Sequence, residues 1–165
     1  MGKKISIQLN TRSIDAAIKT LQEYQQSLDR QRDELCRRLA QMGAVSVSLG
    51  YSRAVYSGEK DITVSVEPIE NGYAILAEGE SVLFVEFGAG VTYGYGHPQA
   101  GELGMGPGSY PDGKGHWDNP NGWWIPKEAG GGHTYGNPPS MTMYQTAKEL
   151  QEAVLRMAKE VFASD

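Results

Sequence analysis

The chain has 165 residues, 39% of them hydrophobic, with 21 glycines and a net charge of −5. That length fits one domain, 1–165, and so little apolar content beside so much glycine means that only part of the chain builds the core. The acidic balance gives no general pull toward nucleic acid or anionic membrane, the single cysteine, Cys36, excludes an intrachain disulfide, and no run approaches the ~18 apolar residues of a membrane span.

The opening MGKKISIQLN lacks the apolar centre of a signal peptide, so a soluble protein made in the cytoplasm is expected. Ile5, Ile7 and Leu9 alternate with polar residues and read as a short strand. Ile14, Ile18, Leu21, Leu28, Leu35, Leu39 and Met42 then recur at helical spacing, one stripe on a helix of about eight turns. Thr11 or Ser13 would cap its start and Gly43 would stop it. Gln25 and Arg32 interrupt the stripe, which disfavours a self-sufficient coiled coil and favours packing on a sheet or a neighbouring subunit. Cys36 beside the stripe reads as core.

Val45, Val47 and Leu49 alternate again, and so do Ile62, Val64 and Val66. Asn71-Gly72 signals a two-residue hairpin with Tyr73 to Glu78 returning, and YSRAVYSGEK at 51–60 reads as a connection. Val82 to Phe87 fits a strand or a short helix equally, because so short an apolar run has no decisive period. From Gly88 to Gly136 the composition shifts: 15 of the 21 glycines, all three tryptophans and all three histidines lie there. Within this excursion Trp123-Trp124-Ile125 and the residues near Thr134-Tyr135 predict a small hairpin across KEAGGGH. A loop of this length inside one domain is functional or unstructured, and its aromatic density argues for ordering on a partner. After Pro138-Pro139, Ser140 would cap a last helix whose apolar face holds Met143 or Tyr144, Ala147, Leu150, Val154, Met157, Val161 and Phe162. The fold class is therefore α+β: a long N-terminal and a C-terminal helix on a small antiparallel sheet, with a glycine- and aromatic-rich excursion over 88–136.

The excursion suggests several chemistries. Its glycines resemble a nucleotide loop, but Pro98, Pro107 and Pro111 deny the helix that must follow, and the only Gly-Lys there is followed by Gly115. His97, His116 and His133 stand 19 and 17 residues apart, unlike a compact metal-ligand set. Glu86 with Asp112 or Asp118 beside stacked tryptophans suggests a small glycosidase or sugar-binding module. The plainer reading makes Glu86 a cap for backbone amides or half of an ion pair. Lys114 and Lys127 are the only lysines or arginines in 88–136, too few to hold a nucleic-acid backbone. Aromatic enrichment with few charges better fits contact between proteins.

The order of signals resembles the neck or tail-completion (head–tail joining) proteins of long-tailed bacteriophages. The residues that carry it are the long first helix, the hairpin, Val85-Glu86-Phe87-Gly88-Ala89-Gly90, Gly122-Trp123-Trp124-Ile125-Pro126, Gly136-Asn137-Pro138-Pro139, and Met143-Tyr144-x-x-Ala147. The chain departs from that pattern at Ala89, where threonine is usual, and at Ser140-Met141-Thr142-Met143, where Pro-Phe-Met is common. The resemblance implies a structural virion protein and not an enzyme, without cofactor, metal or membrane. It implies a ring of identical subunits in the connector, assembled in the bacterial host cytoplasm. Other connector or tail proteins would be its neighbours, and DNA would pass through without specific binding. The expected structural and interface residues are Glu86, Phe87, Gly88, Gly90, Tyr93, Tyr95, Trp117, Trp123, Trp124, Pro138 and Pro139.

Overall fold

The computed structural model describes residues 8–93, 96–105 and 119–163. The first helix, α1, runs Thr11–Arg53 without interruption. Its cap is Asn10, whose side chain accepts from the Ser13 amide at 2.9 Å, while Ser13 Oγ accepts from the Gln8 amide at 2.9 Å. Ser13 thus takes part in the cap without being it, its amide on Asn10 and its hydroxyl on the Gln8 amide. Ile5 and Ile7 of the expected first strand lie outside the described residues, and Leu9 sits fully exposed in a bend.

Where a stop at Gly43 and a strand over 45–49 were expected, the helix continues for ten more residues, to Arg53. The buried positions are Ala40, Gly43, Val47 and Tyr51, a three- and four-residue spacing that belongs to a helix. Gly43 is a packing notch here. A Cβ on it would stand 2.5 Å from Ile75 Cδ1 and 2.9 Å from Leu150 Cδ1, so the hairpin and the last helix press onto α1 at this point. Gly50 opens a second notch, for Thr142, at the start of that last helix. The end of α1 is closed by Lys60, whose Nζ donates to the Tyr51, Ser52 and Ala54 carbonyls at 3.3, 2.7 and 3.1 Å. A cation at a helix C-terminus complements both the free carbonyls and the dipole.

Strands β1 (Thr63–Ile69) and β2 (Gly72–Glu78) form the expected antiparallel hairpin, in register from Thr63–Glu78 to Ile69–Gly72. The turn residues are Glu70 and Asn71, one place earlier than the Asn-Gly pair suggested. Val82–Phe87 is a helix, α2. Strands β3 (Trp123–Ile125) and β4 (Gly132–Thr134) make the second hairpin, joined through a 3₁₀ turn at Lys127–Ala129. The last helix, α3, spans Thr142–Phe162.

The described residues are thus α+β, with two long α-helices, the short α2 and two separate two-stranded antiparallel sheets. α1 lies between α3 and the β1–β2 hairpin and packs on both. Val47, Tyr51 and Val85 centre the core, with Ile62, Val64, Ile75, Ala77 and Met143 against them. On α3 the buried line is Thr142, Thr146, Ala153 and Val161, rotated from the expected apolar face so that Phe162 is 42% exposed and Ala147 lies outside. Cys36 is half-buried, near the hairpin turn. In the first half of α1 only Ala17 is buried, and the larger apolar side chains Ile14, Ile18, Leu21 and Leu28 are 41%, 48%, 52% and 37% exposed.

Candidate functional site

The Leu83–Gly90 junction folds around Glu86, whose carboxylate is buried yet fully engaged. Tyr51 Oη donates to Oε2 at 3.0 Å from α1. The amides of Met143 and Tyr144, in the first turn of α3, donate to Oε2 and Oε1 at 3.1 and 3.2 Å. His97 Nε2 lies 3.3 Å from Oε1. The Gln99 amide donates to His97 Nδ1 at 3.2 Å, so Nδ1 is an acceptor and Nε2 carries the proton toward Glu86. Two carboxylate oxygens therefore take four donors, which matches their lone-pair capacity.

Glu86 is the N-terminal cap of α3, supplied from a residue far upstream. The expected cap, Ser140, does not serve: its hydroxyl accepts from Thr142 Oγ1 at 2.9 Å. The position before the helix is Met141, held at φ 53° and ψ 29°, and its side chain offers no oxygen to the free amides. The chain instead enters α3 against the end of α2, with the Ser140 amide on Val85 O at 2.8 Å and the Met141 amide on Glu86 O at 3.2 Å. Carbonyls left over at one helix end thus satisfy amides left over at another, and the Glu86 charge sits on the positive end of the α3 dipole. Burial, and then the negative charge of Glu86, push the Tyr51 phenol well above its ordinary value, so it stays a donor.

Around this carboxylate the expected junction residues fall into place. Phe87 lies tilted on the His97 ring at 4.3 Å between centroids, and His97 meets Tyr144 edge-on at 5.5 Å. Gly88 and Gly90 take φ of 79° and 83°, as the departing chain requires. Ala89 and Asn137 bond reciprocally, at 3.0 and 2.9 Å, so the excursion leaves and returns at one isolated bridge. Gly136 packs directly on that bridge, where a Cβ would fall 1.9 Å from Ala89 O. Asn137 Nδ2 donates to Phe84 O at 2.8 Å, and Pro138 and Pro139 carry the chain half-buried from the bridge to α3. Tyr93 is 48% exposed. Tyr95 and Trp117 lie outside the described residues.

The two adjacent tryptophans alternate, as strand residues must. Trp123 is half-buried, whereas Trp124 is 77% exposed and meets His133 edge-on at 5.1 Å. Trp123, Tyr56, Phe84 and Ile125 line a cavity of about 530 Å³ between the second hairpin and the 56–61 segment. Its lining carries Glu59, Asp61, Glu80 and Glu128 and no lysine or arginine. Asp61 accepts from Ser81 Oγ at 2.5 Å and from the Glu80 and Ser81 amides at 2.6 and 2.9 Å, and the Ser81 hydroxyl above all holds its carboxyl below the usual range. Glu86 lines a different cavity, beside His97 and Tyr144.

Sequence reasoning missed Tyr51, read as part of a connection, and Asn137 as the return anchor. His97, read there as a metal ligand or, more plainly, as a surface residue or local hydrogen-bond donor, is a donor to Glu86, and among the described residues no group of three or more histidine, cysteine or acidic side chains is placed to hold an ion. The three- and four-residue spacing of Ala40, Gly43, Val47 and Tyr51 was the signal for Tyr51; nothing local announces a cap 57 residues away. No helix among the described residues is long and apolar enough to cross a membrane. No protein-family profile, curated protein sequence or solved structure gives a significant match to the chain.

Proposed function

We propose that this chain is a structural subunit of the head–tail connector of a long-tailed bacteriophage, assembling as a ring around the DNA channel to join or complete the tail at the head. The observation that carries the reading is the exposed apolar stripe on the first half of α1. Ile14, Ile18, Leu21 and Leu28 form an apolar stripe with 37–52% exposure on a helix that extends well beyond its own core. A lone chain gains nothing from such a stripe, whereas neighbours in a closed ring bury it by a heterologous contact. The resemblance of the ordered motifs to neck and tail-completion proteins supports the same reading. So does the net charge of −5, which suits a passage through which DNA slides without adhering.

The role needs no chemistry from Glu86. Its oxygens are occupied by the donors that start α3 and brace α1, so it serves as an anchor of the junction. A sugar-processing reading with Glu86 as the acid would need it beside the tryptophan platform, and it lies in another cavity.

The test is assembly. Light scattering and negative-stain images of the purified chain should give closed rings, and Ile18→Glu with Leu21→Glu should leave a folded chain that no longer forms them. Phage carrying the double substitution should accumulate unjoined heads and tails. Normal joining by that variant would refute the reading.

A further inference from the structure

We infer that the acidic, tryptophan-lined groove is a socket for the Lys3–Ile7 segment of a second copy of this chain. The inference rests on the reading of the chain as a self-associating ring subunit and names the contact that links one copy to the next. The groove has an apolar floor of Tyr56, Phe84, Trp123 and Ile125 and four carboxylates, Glu59, Asp61, Glu80 and Glu128, with no basic residue in its lining. Asp61 is committed to the Glu80–Ser81 backbone and the Ser81 hydroxyl. Glu59, Glu80 and Glu128 remain, all exposed. An occupant should therefore present apolar side chains on one side and positive charge beside them.

Lys3-Lys4-Ile5-Ser6-Ile7 has that composition. It holds the only adjacent lysines in the sequence, no acid, and two isoleucines at the two-residue spacing that puts side chains on one face of an extended strand. In a chain of net charge −5 such a segment stands apart.

Reach decides between the chain's own segment and a neighbour's. The groove includes Tyr56 and Ser57, just past the C-terminal end of α1, while Lys3–Ile7 precedes its N-terminal end. The helix between them spans about 60 Å at ~1.5 Å per residue. From Gln8 back to Lys3 the chain covers at most about 18 Å, even fully extended. A subunit cannot fill its own groove. Filling a neighbour's sets the tip of one long helix against the opposite end of the next molecule, a head-to-tail contact of the kind that closes rings.

The experiment mixes two full-length variants, both carrying Cys36→Ser: one with Ile7→Cys, the other with Ser57→Cys. Mild oxidation of the mixture should give a disulfide-linked pair containing one chain of each, identified by mass. Adding Lys3→Glu and Lys4→Glu to the first variant should cut its yield on the order of tenfold at 0.1 M salt. Adding Glu59→Lys and Glu128→Lys to the second should restore it. Circular dichroism on every variant checks that the helices are intact. Failure to link folded chains, or linking indifferent to the charge reversals, overturns the socket. So does an intrachain disulfide in a single chain bearing both cysteines. Rings that persist without the link overturn the socket and leave the connector reading standing. Charge-dependent links in open chains that never close support the socket and count against the ring.

Discussion

Glu86→Gln is the sharpest test of the junction, because it keeps the side chain's shape and removes only its ability to accept everywhere. In the native protein Oε2 receives Tyr51 Oη and the Met143 amide, and Oε1 receives His97 Nε2 and the Tyr144 amide. An amide has one accepting oxygen. Whichever way it turns, its NH₂ faces a backbone N–H, of Met143 or of Tyr144, that cannot turn away. The Tyr51 hydroxyl can rotate and accept, so the less costly orientation points NH₂ toward Tyr51 and strands Met143. A buried donor without a partner costs about 1–3 kcal/mol, and losing the charge at the α3 N-terminus adds about 0.3–1 kcal/mol. We expect Glu86→Gln to destabilise by about 2–3 kcal/mol and Glu86→Ala, which orphans all four donors, by about 4 kcal/mol, water recovering part of the sum. Urea unfolding of the full chain at pH 7, followed by far-UV circular dichroism with an unchanged m-value, measures both. A Gln variant within about 0.5 kcal/mol of the parent would show that the carboxylate is not the cap described above.

Two further predictions concern the same region. Gly136→Ala should cost about 3 kcal/mol, because φ is +105° and the new Cβ would overlap the backbone of Ala89; Gly132→Ala, at φ +101° with nothing nearby, should cost about 1 kcal/mol, and urea midpoints compare the two. Tyr51 has a folded pKa raised above its unfolded value, so its contribution is fully present below about pH 10 and is lost as pH rises further, when the unfolded chain ionises first. The parent should therefore lose stability above about pH 10 more steeply than Tyr51→Phe, by up to about 1.4 kcal/mol per pH unit; equal slopes would mean that Tyr51 ionises freely in the folded protein.

What the sequence made legible were the elements whose patterns are local. The β1–β2 hairpin has period-two alternation on both arms, and β3–β4 has aromatic strands around a glycine turn, so both appear where expected. The second half of α1 was misread for a physical reason. Val45, Val47 and Leu49 alternate and glycine precedes them, yet Val45 and Leu49 are 61% and 48% exposed and only Val47 is buried. Gly43 and Gly50 look like helix stops in a sequence and act as notches in the structure, because α3 and the hairpin lie against them. Tertiary contact there overrides propensity. The cap of α3 was invisible for the same kind of reason: Ser140 has the right chemistry at the right place, but the Met143 and Tyr144 amides are already taken by Glu86. That Glu86 would bind backbone amides was foreseeable from its position at the end of an apolar run; which amides was not.

The junction is built to brace the excursion, which leaves a partner of the proposed subunit to the exposed surfaces. The excursion departs and returns through one bridge at Ala89 and Asn137, with Glu86 tying that neighbourhood to α1, α3 and His97. A partner that pulls on residues 91–135 therefore loads a point braced from three directions, and the core of Val47, Tyr51 and Val85 lies behind that brace. The buried network is already saturated with internal donors, so it offers a partner nothing to bind. Exposed apolar side chains lie toward one end of α1, at Ile14, Ile18, Leu21 and Leu28, and past its other end lies the groove lined by Trp123. The α1 helix sets the stripe roughly 40–60 Å from the groove end, at ~1.5 Å per residue. On the proposed connector reading, that helix is the spacer between the contact a subunit makes with one neighbour and the contact it makes with the next.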